Sequence, residues 1–218
     1  QEQNVYAGLG NKVSAIIAKS IFSSFEDTKN INEKKVIHTG PIVNTSLTRK
    51  DILLHEKQTI GFIGGSQGSE QINQYVDEFM KSELHTDFNI VHVAGKNKTN
   101  LEIDSNNYES FDFIEEMDDF YRKIDILVGR AGGGSLEAAY LGIPQILIPY
   151  KYGTTSSHQP LNAKYLEDKG YGFIVNTFED LTIKINEISK GFKSGKSNLP
   201  NITIGNLMIS KELYEQIV

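Results

Sequence analysis

The chain has 218 residues, a formal net charge of −6 with 23% charged and 39% hydrophobic residues, and no cysteine. That composition excludes disulfides, thiol chemistry and cysteine-held metals, and it offers no basic footprint for nucleic acid. Apolar stretches such as "IPQILIPY" are far shorter than the roughly 20 residues a membrane-spanning helix needs. Residues 1–35 read as a loop, "QEQNVYAGLGNK", then a helix in which Val13, Ile16, Ile17 and Ile21 fall near helical spacing, then a short strand. "KKVIHTGPIVN" is a brief strand ended by the turn signal Gly40-Pro41. Residues 44–57 are polar without a period and read as a linker or a weak helix.

From there strands and helices alternate. Strands are expected at 59–65, 88–95, 108–114, 125–130, 144–150 and 171–176. Helices are expected at 69–84, 115–124, 135–142, 158–170 and 181–192, with two short helical pieces after Pro200. The stretch 191–201, "GFKSGKSNLPN", reads as a flexible connection. Short, uniformly apolar strands alternating with helices imply an α/β fold, a Rossmann-like parallel sheet sandwiched by helices. In such sheets ligands bind where strands end and helices begin.

Four of those loops could carry chemistry. In "FIGGSQGSEQIN" (62–73), glycines let a ligand approach the main chain, and Ser66 and Gln67 add a hydroxyl and an amide. Helix N-termini favour phosphate, although the loop lacks the Gly-Lys-Ser/Thr ending of a P-loop, and a lone "GGSQG" serves equally as a tight turn. In "GRAGGGSLEA" (129–138), Gly132, Gly133 and Gly134 precede Ser135, read as a helix N-cap, with Glu137 expected in the first turn. Successive glycine amides suit an anion, and Glu137 would either offset the helix dipole or accept hydrogen bonds from paired ribose hydroxyls. In "YKYGTTSSHQPLNA" (150–163), Gln159 and Asn162 are three apart on one helix face, which suits a neutral hexose, though capping explains the same residues. In "FDFIEEM" (111–117), Phe113 and Ile114 close a strand where a planar base could lie, or where the core is simply packed. The histidines have no metal-ligand spacing, so no metal site is expected.

Taken in order, GGSQG, FI-EEM, RAG-GGS-LEA, LGIPQILIP and HQ-xx-NA resemble the donor-binding C-terminal half of the MurG family of GT-B glycosyltransferases, over about residues 2–176. The resemblance implies transfer of N-acetylglucosamine from UDP-GlcNAc to lipid-linked muramyl pentapeptide, an inverting reaction of peptidoglycan synthesis, with no cofactor beyond the UDP-sugar substrate. It implies Ser66 and Gln67 at the donor phosphates, Ile114 on uracil through its backbone with Phe113 beside it, and Gly133, Gly134 and Ser135 at the diphosphate. Glu137 would then bind the ribose, and Gln159 and Asn162 the sugar hydroxyls. "EQN…GL-N" matches the end of the family's N-terminal domain, which implies acceptor-side roles for Gln3 and Asn4. It further implies that 1–35 close that domain, 36–200 form the donor domain and 201–218 a C-terminal helical segment. The implied location is cytoplasmic, peripheral at the inner face of the plasma membrane.

Three departures qualify the resemblance. Arg130 and Glu137 are one residue closer than the family pattern, Asn44 stands where the family carries arginine, and the family's N-terminal "GGTGGH" loop is not in this sequence. That loop carries the acceptor-side base, so the expectation is a chain that by itself binds UDP-sugar weakly and transfers nothing. The alternative is another GT-B transferase with a different UDP-sugar or a polysaccharide or glycolipid acceptor, possibly split over two chains.

Overall fold

The computed structural model describes residues 1–48, 57–96, 103, 105–150, 158–193 and 200–217. Part of the linker expected at 44–57, most of the polar stretch before His158 and residues 194–199 lie outside that set. A short helix, α1 (Leu9–Ser14), leads to β1 (Ile21–Ser23) and β2 (Val36–His38), which pair in parallel as a separate two-stranded sheet. The Lys35 ammonium donates to the carbonyls of Ala15, Ile16 and Ala18 just past the helix, satisfying backbone groups that a helix end leaves open. Of the residues whose spacing suggested a helix, only Val13 lies in α1; Val13 and the following Ile16 and Ile17 are 58%, 75% and 90% exposed, while Ile21 is buried in β1.

The main sheet is built from β3 (Gln58–Ile63), β4 (Phe88–Val93), β5 (Tyr108–Phe111), β6 (Ile126–Gly129), β7 (Gln145–Leu147) and β8 (Phe173–Ile174). All six are parallel, in the order β5-β4-β3-β6-β7-β8. The helices between and after them are α2 (Glu70–Lys81), α3 (Met117–Lys123), α4 (Gly133–Leu141), α5 (Gln159–Asp168), α6 (Phe178–Lys193) and α7 (Asn206–Ile217). The region after Pro200 thus holds one helix, α7, where two short pieces were expected.

Strand side chains alternate between faces, and the two faces feed different helices. Ile60 and Phe62 of β3, Ile90 of β4 and Ile126 and Val128 of β6 pack with α2 and α6 residues such as Ile72, Phe79, Leu181 and Ile185. On the other face Val91, Val93 and Leu127 meet Phe120, Tyr121 and Ile124 of α3 and Ala138 of α4, while Leu136, Leu147, Ala163 and Leu166 join α4 to α5. Gly61 belongs to this second face because a Cβ there would fall 2.6 Å from Ile124. Residues 1–35, expected to close a preceding domain, pack onto the second face as well. Val5 and Phe25 share a core with Leu136, Leu147 and Leu166, and the Phe25 ring meets Tyr165 edge-on at 4.8 Å.

The chain lays strands outward from β3 to β5, then returns to start again at β6 on the other side of β3. The loops leaving β3 and β6 therefore diverge, opening a crevice at the carboxyl ends of these adjacent strands.

Candidate functional site

One wall of the crevice is the β3–α2 loop. Gly65 (φ +87°) and Gly68 (φ +69°) take backbone conformations that side chains resist, and Gly68 N–H closes the turn on the Gly65 carbonyl at 2.9 Å. A Cβ on Gly68 would lie 2.2 Å from the Ala94 carbonyl, so the loop is pressed backbone to backbone against the end of β4. Ser69 caps α2, accepting from Ile72 N–H at 3.3 Å. This leaves Ser66 and Gln67 exposed at the tip.

The second wall begins with Arg130, just past β6. Its Nη1 donates to the Ile148 carbonyl at 2.8 Å and Gln71 Oε1 at 3.0 Å, its Nη2 to Ser69 Oγ at 2.6 Å, and its guanidinium lies 5.1 Å from the Tyr150 ring centre. Burial pulls its pKa below the usual arginine range, but it stays a cation near neutrality. A cleft of about 720 Å³ lies between these walls, lined by the 64–71 loop, Gln74, Arg130, Tyr150 and Gln159. Sequence reasoning used Arg130 only to count spacing. Its signal was its position, one residue beyond a central strand and two before the first of the glycines. Asn44, at the expected arginine position, instead accepts from Ser46 N–H (3.0 Å) and Ser46 Oγ (2.8 Å) in a local turn.

The glycine turn differs from expectation in a specific way. Gly132, not Ser135, is the N-cap, so α4 starts at Gly133 and Glu137 falls in its second turn. Glycine is acceptable at a cap, and Ser135 instead donates its hydroxyl back to the Gly132 carbonyl at 2.6 Å. Ser135 is 2% exposed, so its hydroxyl is directed into the fold. Tyr121 reaches over from α3 to donate to Glu137 Oε2 at 2.7 Å and lies 3.2 Å from the Gly134 carbonyl. Burial, and then the Glu137 charge, raises the Tyr121 pKa, so it is a neutral donor at any ordinary pH. With the carbonyls of Gly132 and Gly134 held from within, the N–H groups of Gly133 and Gly134 are left as open donors of the first helical turn, on the positive end of the dipole. Placed beyond the first turn, Glu137 is poorly situated to offset that dipole, and its Oε1 has no hydrogen bond among the described residues.

Phe113 and Ile114 lie past the end of β5, not in it. Phe113 is 44% exposed with Lys96 Nζ 5.0 Å from its ring centre. Ile114 packs its side chain on the cluster that holds Tyr121 and Ala138. Gln159 opens α5 and accepts from Tyr150 N–H at 3.0 Å. Asn162 is 3% exposed and fully engaged, accepting from Val5 N–H at 2.9 Å and donating to Asn4 Oδ1 at 3.0 Å and the Ala131 carbonyl at 3.2 Å. Gln3 is exposed. The fold thus gathers Ser66, Gln67 and Gln159 about one cleft, and Gly134 and Glu137 about Tyr121; it buries Ser135 and Asn162 in supporting contacts. Among the described residues no three His, Asp or Glu side chains converge as metal ligands, and no helix is long and apolar enough to cross a membrane.

The model of the glycosyltransferase family 28 C-terminal domain matches residues 59–216. Two curated relatives are each named UDP-N-acetylglucosamine–N-acetylmuramyl-(pentapeptide) pyrophosphoryl-undecaprenol N-acetylglucosamine transferase. The one from Thermosipho africanus is 31% identical over all of this chain and 64% of its own length. The one from Thermosipho melanesiensis is 34% identical over all of this chain and 63% of its own length. Among solved structures, MurG from Acinetobacter baumannii superimposes with a TM-score of 0.64 at 26% identity, over 85% of this chain and 56% of that one.

Proposed function

The chain belongs to the glycosyltransferase family 28 C-terminal domain family, and we propose that it is the donor-binding portion of a GT-B transferase that takes N-acetylglucosamine from UDP-GlcNAc to a lipid-linked muramyl pentapeptide. It spans just under two-thirds of the curated relatives named for that reaction, 64% and 63%. The observation that carries the reading is the pair of open N–H groups at Gly133 and Gly134 with the Glu137 carboxylate one turn on, at the point where the strand order reverses. Amides at a helix N-terminus suit a diphosphate, and a carboxylate suits vicinal hydroxyls.

In this reading the diphosphate lies over Gly133 and Gly134, with Arg130, Ser66 and Gln67 on its other side. Uracil lies against Phe113 and the main chain of Ile114, which makes no hydrogen bond among the described residues. The ribose hydroxyls meet Glu137, and the sugar extends toward Gln159. Ser135 and Asn162 serve this site from beneath by holding the turn. Inverting transfer needs a stabilised UDP leaving group and a base at the acceptor hydroxyl. Amides, helix dipole and Arg130 supply the first. The acceptor side is proposed to involve the Gln3–Asn4 segment together with an acceptor domain, on this polypeptide or another. A lipid-linked acceptor implies work at a membrane surface, from its cytoplasmic side.

Calorimetry with UDP, UDP-GlcNAc, UDP-glucose and UDP-galactose tests the reading. The expected result is saturable binding of UDP and of UDP-GlcNAc in preference to the other two sugars. Binding of none of the four would end every nucleotide-sugar reading of this chain, while equal binding of all three sugars would end the GlcNAc assignment.

A further inference from the structure

We infer that Asn162 is a positioning residue that joins the donor-side glycine turn to the N-terminal Glu2–Gly8 loop, so that filling the donor site alters that loop. The inference rests on the reading of Gly133 and Gly134 as the diphosphate-facing amides.

Side-chain packing does not hold the turn at Gly132 and Gly133, where a Cβ would meet nothing within 4 Å. Its shape is set by what grips the backbone. The Ala131–Gly132 peptide is held at both ends: its oxygen accepts from Asn162 Nδ2 at 3.2 Å and its N–H donates to the Arg130 carbonyl at 3.0 Å. A peptide group is a rigid plane, so fixing both ends sets that plane, and the next one, which carries the Gly133 N–H, is held through the Gly132 carbonyl by the Ser135 N–H at 3.1 Å and the Ser135 hydroxyl at 2.6 Å.

The rest of the Asn162 amide belongs to the N-terminal loop. Its Oδ1 accepts from Val5 N–H and its second Nδ2 hydrogen goes to Asn4 Oδ1. Asn4 in turn donates its N–H (2.9 Å) and Nδ2 (3.0 Å) to Glu2 Oε1. Glu2 Oε2 accepts from Gly8 N–H and Asn11 Nδ2, both at 3.0 Å. Glu2 is 1% exposed, and its charge is met by these four donors with no cation among the described residues. The result is a continuous hydrogen-bonded path from the Ala131 carbonyl to Gly8. Tyr6 of the same loop stacks on His158 at the start of α5, ring centres 6.3 Å apart. A network of this kind, buried at Asn162 and Glu2 and part-buried at Asn4 and Gly8, has few alternative arrangements, so a shift at one end is carried to the other. Only a primary amide offers both donors and the acceptor that Asn162 uses.

Amide NMR spectra of the 218-residue chain during a UDP titration test the inference. In the parent, Gly133 and Gly134 should shift saturably, and Val5 and Gly8 should shift with the same apparent Kd. In Asn162→Ala, Gly133 and Gly134 should still titrate, about 5- to 10-fold more weakly, while Val5 and Gly8 stay still. Should that variant not fold, Asn4→Ala keeps Asn162 on Ala131 but cuts the path to Glu2. Gly133 and Gly134 should then titrate within about 2-fold of the parent, as expected for loss of a remote contact, with Gly8 silent. Movement of Gly133 and Gly134 without Val5 and Gly8 in the parent overturns the inference. So does an unchanged Val5 and Gly8 response in Asn162→Ala or, at Gly8, in Asn4→Ala. If Gly133 and Gly134 do not respond in the parent, the donor reading itself fails and this inference with it.

Discussion

Replacing Glu137 with alanine separates the ribose role from simple packing. In the parent one carboxylate oxygen is held by Tyr121 at 2.7 Å and the other is open among the described residues, so the group is aimed before any ligand arrives. A hydrogen bond to a charged group contributes about 1.5–3 kcal/mol, which corresponds to roughly 10- to 150-fold in Kd. Glu137→Ala should therefore weaken UDP binding by about that factor. The fold should suffer little. Tyr121 keeps the Gly134 carbonyl at 3.2 Å as an acceptor, so the loss of stability should be about 1 kcal/mol. The assay is calorimetry with UDP and with 2′,3′-dideoxy-UDP, alongside denaturant unfolding. The parent should bind dideoxy-UDP as weakly as the variant binds UDP, and the variant should not distinguish the two ligands. A variant that binds UDP within about 2-fold of the parent, or that still prefers UDP to its dideoxy analogue, refutes the ribose assignment.

Three further outcomes are expected. Gly133→Ala adds a methyl at an exposed position where it meets nothing within 4 Å, so its unfolding midpoint should stay near the parent value while UDP binding falls, because the added methyl stands where a ligand would approach the amides; unchanged binding contradicts this. Gly68→Ala combines a φ of +69° with a 2.2 Å approach to the Ala94 carbonyl, so it should lose about 1–3 kcal/mol of stability in denaturant titrations and weaken UDP binding as the loop shifts; an unperturbed unfolding midpoint contradicts it. Buried His92 lies between Asn73 Oδ1 at 3.0 Å and Tyr108 Oη at 2.8 Å, and burial lowers its pKa to about 4. Below pH 6.5 the unfolded chain takes up a proton that the folded one refuses. Stability is thus full above 6.5 and falls by about 3 kcal/mol as the pH drops toward 4. His92→Gln should remove that part of the slope between pH 6.5 and 4, and equal slopes would refute it.

Much of the architecture was legible because it rests on local patterns. Strands such as 59–65 and 88–95 are apolar runs that end in glycine, and "SEQINQYVDEF" carries both its cap and its buried stripe, so alternation alone predicted the parallel sheet. The glycine turn was legible in kind, but its cap was misread by three residues. Ser135 looks like a cap in sequence, and only the three-dimensional turn shows Gly132 taking that position while the serine bonds backward. Asn162 was beyond sequence reasoning for a different reason. An amide three residues from Gln159 on a helix suggests a shared exposed face, yet its partners Val5 and Asn4 are 157 and 158 residues away in the chain. Arg130 was overlooked because its partners, Ser69 and Gln71 at the start of α2 and the Ile148 carbonyl just past β7, are far from it in the chain. The exposed apolar side chains of α1 show the converse limit: periodicity predicts a helix but not which of its faces this chain covers.

A crystal structure of this chain with UDP tests the central claim most directly. The account predicts diphosphate oxygens within hydrogen-bonding distance of the Gly133 and Gly134 amides, ribose hydroxyls on Glu137, and uracil against the Ile114 backbone. Clear density for UDP elsewhere on the molecule, with the Gly133 and Gly134 amides solvated and Glu137 bonded only to Tyr121, would contradict it.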